Sequence, residues 1–416
     1  MKARTDLGDF TWVRLSFVDV FGTSNSVRIP AGRFEDVVAS GVPFDGSALE
    51  GRARQLESDM LLRPDPSTLV DLGGRLARAV CTVHTPDGAR WNGDPRSALE
   101  AISLDAPEVA TGATVAAELE FYLLDPAGEP LDRAGYFDEA ESQATALVAA
   151  AAERLLTCGI PVDAWHHEAG PGQYEVDIGA LPPVELADAV VLTKQILREQ
   201  AHAHDAQATF MPRPFADQPG SGLHLHQRLA TSLIDGSGEL EPLARAFVAG
   251  QLAHAPALCA LAAPTVNSYK RLHAGPEAPS AVVWAHRNRA ALVRVNSYAG
   301  AVASIEYRGA DPSANLYLLL TGLLAAALDG LDRDLELPSP AEETSGGYDP
   351  AIAEQRLEPL PWTLDDALDA LVADDVVVDA FDSQALGRLV DGRRAEAQSY
   401  RQLVTEWECE RYLDDA

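Results

Sequence analysis

Residues 220–228 read GSGLHLHQR. His224 and His226 lie two apart, as do Leu223 and Leu225. A period of two belongs to a β-strand, whose successive side chains point to opposite faces. The spacing predicts a strand with both imidazoles on one face and both leucines on the other. The same alternation recurs along the chain. In AELEFYLL (117–124), Glu118 and Glu120 share a face opposite Leu119 and Phe121. In SIEYRG (304–309), Glu306 and Arg308 turn away from Ile305 and Tyr307. Glu168 and Glu175 flank the turn AGPGQY (169–174). An ordinary amphipathic strand with a solvated face explains any one of these pairs. Four such segments, each bordered by residues expected to be buried, point instead to a shared polar site.

Buried carboxylates without partners are costly, so if these segments converge a divalent cation is the natural compensation. Five glutamates with one or two histidines make a mostly oxygen donor set, suited to Mg²⁺ or Mn²⁺. Several carboxylates can hold more than one metal, as in sites that handle phosphates. Cys81, Cys158, Cys259 and Cys409 are far apart and form no CxxC pair. They fit neither a disulfide framework nor a zinc knuckle, and reduced cytosolic thiols are expected. Arg271, Arg287, Arg289, Arg294 and Arg308 add guanidinium forks that match phosphate and carboxylate geometry. Metal ligands together with arginines suggest ATP chemistry, although neither a P-loop nor a kinase Gly-rich loop is present. The residues alone therefore define a metal- and phosphate-dependent enzyme on a β-rich α/β scaffold.

The chain has 416 residues, 47% hydrophobic and 23% charged, the balance of a globular protein with two domains or one large domain and an appendage. A net charge of −31 makes nucleic acid and anionic membrane poor partners. MKARTDLGDF lacks the apolar run of a signal peptide. The apolar run LYLLLTGLLAAAL from Leu316 has 13 residues, short of the roughly 20 that span a bilayer, and is expected to be a buried helix. Short alternating runs such as TWVRLSFVDV mark the first 90 or so residues as strand-rich, with a boundary near residue 93. Beyond it, strands alternate with helices expected at 138–157, 184–204 and 240–262. TFMPRPF reads as extended and the last 50 or so residues as helical.

In this order the motifs resemble the glutamine synthetase family. The matching stretches are FDGSALEG…ESDMLLRPDPST, AELEFYLLD, AGYF, HHEAGPGQYEVDIG, TFMPRPFADQPGSGLHLHQ, NSYKRLHAGPEAP, RNRAALVRV and IEYRGADPSANLYL, with a similar tail in WECERYL. The resemblance implies an α+β fold: a small β-grasp N-terminal domain (1–93) and a larger catalytic domain (94–416). The latter would carry an antiparallel half-barrel sheet flanked by helices. It implies a ligase that forms γ-glutamyl phosphate from glutamate and ATP, after which an amine or ammonia displaces phosphate. Cytoplasmic hexameric rings or a dodecamer, with active sites between subunits, come with it.

Carried over position by position, the resemblance gives Glu120, Glu168 and Glu175 to one metal and Glu118, His224 and Glu306 to a second, with two or three Mg²⁺ or Mn²⁺ ions per site. His226, Arg289 and Arg294 would meet the nucleotide. Arg271, Gly220 and Arg308 would hold glutamate, with Arg308 also on the transferring phosphoryl group. Glu277 would help deprotonate the nucleophile, and Asp45 from the neighbouring subunit and Tyr136 would form the ammonium pocket.

The departures bear on the substrate. Ala48 stands where ammonia-using members usually have a second serine after Ser47, and Pro219 where they usually have asparagine. Ser304 stands where they usually have arginine, and Arg228 where they usually have a small serine. The adenylylated tyrosine of many bacterial members has no evident counterpart in RDLELPSPAEE. Kept metal and phosphate residues beside an altered nucleophile pocket lead to the expectation of an amine other than ammonia. Glutamine synthetase itself and a catalytically silent scaffold or regulator are the alternatives.

Overall fold

The computed structural model describes residues 7–50, 59–105, 112–139, 141–235, 239–273, 278–296, 304–342 and 357–414. Glu277 lies outside the described residues.

The N-terminal strands are β1 (Trp12–Val18), β2 (Ser24–Pro30), β3 (Val42–Asp45), β4 (Asp59–Pro64), β5 (Val70–Asp71) and β6 (Leu76–His84). They form one sheet in the order β2-β1-β6-β4-β3, with β5 on β6. β1 and β6 run parallel at its centre. Alternate residues Val13, Leu15 and Phe17 are buried, and they share a core with Phe34 and Val37 of the helix Phe34–Ser40. This is the grasp of a curved sheet on one helix, as expected. β3 ends at Asp45, on the edge strand.

The catalytic strands are β7 (Thr114–Leu124), β8 (Val162–His167), β9 (Gln173–Leu181), β10 (Gln207–Thr209), β11 (Leu223–Arg228), β12 (Trp284–Ala285), β13 (Val293–Asn296) and β14 (Ser304–Tyr307). Their order is β12-β13-β14-β11-β7-β9-β8, with β10 also on β7. All pairings are antiparallel except β12 with β13, which is parallel. The sheet curls into the half-barrel that the resemblance implies. Helices Gln143–Thr157, Pro183–Ala203 and Leu316–Asp332 cover its apolar side and complete the main core. The apolar run from Leu316 is the most buried of these helices, and no described helix is long and apolar enough to cross a membrane.

Two helix boundaries differ from the sequence reading. The alanine-rich helix starts at Gln143 because Ser142 caps it, its hydroxyl accepting from the Thr145 N–H. The helix expected over 240–262 divides at His254 into Pro242–Ala253 and Ala255–Ala262. Pro256 lacks the N–H that would continue the first helix. The His254 ring is held between Asp329 (3.0 Å) and Asp374 (2.7 Å).

A buried charge cluster joins the two cores. The Arg96 guanidinium bonds Asp188 (Nη2–Oδ2, 3.0 Å) and Asp65 (3.1 Å) and also pairs with Glu100. Asp188 accepts a further bond from the Tyr317 hydroxyl at 2.5 Å. Burial pulls the arginine's affinity for its proton down, but the Asp188 carboxylate more than offsets this and holds the pKa above its ordinary value.

Candidate active site

The polar face is assembled by register. β11 pairs with β7 so that His224 lies opposite Glu118, and with β14 so that His226 lies opposite Glu306. β9 places Asp177 opposite Glu118 and Glu175 opposite Glu120, and β8 places His166 opposite Glu175. Arg294 on β13 lies opposite Glu306. With a side-chain period of two, these rungs share one face, and a one-residue slip would send the whole set into the helical layer. Leu119, Leu223 and Leu225 occupy the other face, fully buried in the main core.

The glycines of GSGLHLHQR are required by close approach. A Cβ on Gly222 would sit 2.8 Å from both Arg271 Nη2 and His224 Nε2. One on Gly220 would sit 2.7 Å from Arg271 Cγ and 2.8 Å from the Pro212 carbonyl oxygen. The Arg271 side chain therefore passes against this bare backbone. It comes from the short helix Val266–Leu272, which Thr265 and Ser268 close with a capping box. The Gly222 N–H donates to Glu120 Oε2 at 2.8 Å.

The site is a cavity of about 760 Å³. Glu118, Glu120, Glu168, Glu175 and Asp177 line it from one part of the sheet and its loops, with Arg271, Arg289, Arg294 and Arg308 contributing the positive charge. Tyr136, His166, His224 and Gly220 also line it. Glu118 binds His224 Nδ1 through Oε2 (2.8 Å) and His226 Nε2 through Oε1 (2.7 Å). Burial opposes ionisation of Glu118, but these two bonds hold its carboxyl well below the usual range. Glu306 is fully buried, with Arg294 Nε at 2.8 Å, Arg308 in direct contact and the Asn296 amide donating at 2.6 Å. Arg308 and the imidazoles outweigh its burial, and its carboxyl too is held low.

Glu175 behaves oppositely. Burial, then the charges of Glu120, Glu118, Asp177 and Glu168, push its carboxyl up to about 11. Asp177 is raised by burial and by Glu118. A wall with this much repulsion is built for a positive charge. Its donors converge in three groups, each within 4.8 Å: Glu118, His224 and Glu306; Glu120, Glu175 and His224; and His166, Glu175 and Asp177. These mostly oxygen sets fit a hard divalent cation.

A test follows from Glu175. Its folded-state pKa lies above the ordinary 4.5, so its contribution to stability is complete below pH 4.5 and is lost as pH rises toward the folded value. Glu175→Gln should therefore raise the melting temperature of metal-free protein at pH 8 by about 2–5 °C, and by less at pH 5. Added Mg²⁺ or Mn²⁺ should stabilise wild type more than the variant, which keeps only the donor group of Glu118, His224 and Glu306 intact. Thermal melts with and without chelator check both effects.

The site residues expected from sequence do not all meet in one chain. Glu168 lines the cavity with its Oε1 3.6 Å from His166 Nδ1, outside the three tight donor groups. His226 is bonded to Glu118 and to the Ser304 hydroxyl, at 3.2 Å through Nδ1. Asp45 belongs to the N-terminal domain and is not among the residues lining this chain's cavity. Its carboxylate accepts from the Ser47 N–H (2.9 Å) and hydroxyl (2.8 Å). His166, Asp177 and Asn296 were not singled out by sequence. Asp177 follows Glu175 by two, so the strand-spacing rule would have found it. Asn296 follows Arg294 by two and His166 precedes Glu168 by two, so the same rule points to them as well.

A half-barrel sheet whose carboxylates, imidazoles and arginines share one cavity defines a metal-dependent enzyme of phosphoryl chemistry. Residues 9–86 match the glutamine synthetase β-grasp domain and residues 92–412 the glutamine synthetase catalytic domain. The chain belongs to the glutamine synthetase family and is an ATP-dependent carbon–nitrogen ligase. It is 37% identical to the glutamine synthetase of Thermotoga maritima, over 97% of this chain and 96% of that one. It is 38% identical to that of Methanococcus maripaludis, over 97% and 96%. Among solved structures it is similar to a GmaS–ADP complex, with TM-score 0.87 and 28% identity over the whole of both chains.

Proposed function

We propose that this enzyme joins glutamate, through its γ-carboxyl, to an amine other than ammonia, by way of γ-glutamyl phosphate. The observation that carries the reading is the loop after β3. Ser47 commits both its hydroxyl and its N–H to Asp45, and the next residue is Ala48, packed against the N-terminal core. No second hydroxyl follows to cradle a small ammonium ion, and a bulkier, partly apolar amine fits the methyl group better.

In this reading Glu120, Glu168 and Glu175 hold one divalent ion and Glu118, His224 and Glu306 another. The ions supply charge neutralisation for the phosphate oxygens. Arg289, Arg294 and His226 bind the nucleotide. Arg271 and Gly220 bind glutamate, and the buried Arg271 Nη1, which has no hydrogen-bond partner among the described residues, is a donor that a carboxylate would satisfy. Arg308, anchored by Glu306 and by the Arg289 carbonyl at 2.9 Å, stabilises charge on the transferring phosphoryl group. Tyr136 helps to form the amine pocket, and Glu277 together with Asp45 of a neighbouring subunit binds the amine and accepts its proton. We place the domain boundary near residue 93 and expect a cytoplasmic ring of six or twelve chains.

The test is ATP- and glutamate-dependent phosphate release with ammonium and a series of primary amines. An organic amine should exceed ammonium in kcat/KM by about tenfold or more. Ammonium as the best substrate would make the protein a glutamine synthetase, the reading that the bacterial and archaeal relatives favour. Absence of turnover with every amine would leave only a silent scaffold.

A further inference from the structure

Asp132 is not among the residues lining the cavity, yet donors from several elements converge on it. The Tyr174 hydroxyl, from β9, bonds its Oδ2 at 2.7 Å, and the Ser142 hydroxyl, from a helix cap, bonds the same oxygen at 3.2 Å. His167 Nε2, at the end of β8, bonds Oδ1 at 2.9 Å, and the Gly172 N–H bonds that oxygen at 3.0 Å. The Asp132 side chain is 8% exposed and that of His167 2%. Burial opposes ionisation of Asp132, but the bonds from Tyr174 and His167 more than offset this and hold its carboxyl below the ordinary value. A carboxylate has about four acceptor positions, and these donors take them up.

The groups tied to Asp132 carry one side of the site. His167 Nδ1 donates to the Glu168 carbonyl at 2.6 Å. Gly172 lies in the turn from Glu168 to Tyr174. It has φ 67°, and a Cβ there would sit 2.8 Å from the Leu123 carbonyl oxygen, so the turn is closely fitted. In the other direction Asp132 opens the stretch that leads to Tyr136 and Phe137. Phe137 adopts φ 57°, unfavourable for a bulky side chain. Its N–H is tied to the His167 carbonyl at 3.1 Å, and its ring centroid lies 4.5 Å from that of His166 and 4.2 Å from that of Tyr136. Glu168 and Tyr136 both line the cavity. The donors to Asp132 include no member of the group Glu118, His224 and Glu306.

We infer that Asp132 is a positioning residue. It ties the stretch carrying Tyr136 to the turn carrying Glu168, so one carboxylate sets both the amine pocket and a proposed metal ligand without lining the cavity itself. The inference rests on the ligase reading above. A buried hub that holds one side of a site predicts a selective loss: amine and one metal ion suffer, nucleotide does not.

Asp132→Asn keeps the shape but turns one acceptor oxygen into a donor that faces other donors. It should raise KM for ammonium and for methylamine about tenfold, with KM for ATP within about threefold. Calorimetric titration with Mn²⁺ alone should show one ion weakened about tenfold and another unchanged. Tyr174→Phe removes a single donor and should move both readouts in the same direction by about threefold; it carries the test if Asp132→Asn does not fold. A lower melting temperature with unchanged KM values and Mn²⁺ affinities overturns the inference, as does an equal rise in KM for amine and ATP. Wild-type protein that turns over neither amine overturns the ligase reading. The Mn²⁺ titration then decides on Asp132 by itself, and unchanged affinities in both variants overturn its role.

Discussion

Glu306→Ala should lower turnover by roughly a thousandfold while the protein stays folded. Glu306 is fully buried and sits between Arg294 and Arg308, with Asn296 donating to the same carboxylate oxygen as Arg294. Its oxygen is also 4.0 Å from His224 Nδ1, within the donor group that includes Glu118. Deletion therefore removes a proposed metal ligand and unties two guanidiniums at once. Pre-set charges aimed at the phosphoryl group lose their aim when their anchor goes. Glu306→Gln keeps a carbonyl acceptor for Asn296 but loses the charge, so it should fail nearly as badly. Steady-state phosphate release and Mn²⁺ titration measure the two losses. Turnover within tenfold of wild type in the alanine variant would remove Glu306 from the centre of the site.

Arg96→Leu should cost about 3–5 kcal/mol of stability. Arg96 compensates the buried carboxylate of Asp188 and ties it to Asp65 of the N-terminal domain. Leucine fills part of the volume but leaves Asp188 with the Tyr317 hydroxyl as its remaining described hydrogen-bond partner and Arg78 as a nearby charge that does not bond it. A buried charge robbed of its counterion is the expensive case, far more so than loss of a surface pair. Combining Arg96→Leu with Asp188→Leu should recover much of the loss, because the stranded charge is then gone. Urea unfolding of the single and double variants decides it, and additive losses would show that the pair is not coupled.

Much of the fold was legible because the strand segments that carry the site show a period of two. Glu118/Glu120, His224/His226 and Glu306/Arg308 each announced a polar face, and the leucines between them announced a core. The boundary errors have local causes. The helix over 143–157 begins where the Ser142 hydroxyl caps it, after a turn in which Phe137 adopts a left-handed φ of 57°. The division at His254 depends on Asp329 and Asp374, which are 75 and 120 residues away and give no local signal.

The sequence by itself determined which residues are polar, which faces they share within a strand and, through motif order, the family. Periodicity fixes side-chain direction along one strand, so that much needs no partner. Tertiary structure alone decided which faces meet. The register of β11 against β7 and β14 sets His224 on Glu118 and His226 on Glu306, and no local pattern encodes a register between strands about 80 to 110 residues apart. It also set the environments: Glu118 is held low by two imidazoles while Glu175, buried beside four other carboxylates, is pushed high. Identical side chains acquire opposite acidities because burial and neighbouring charge act through space and not along the chain.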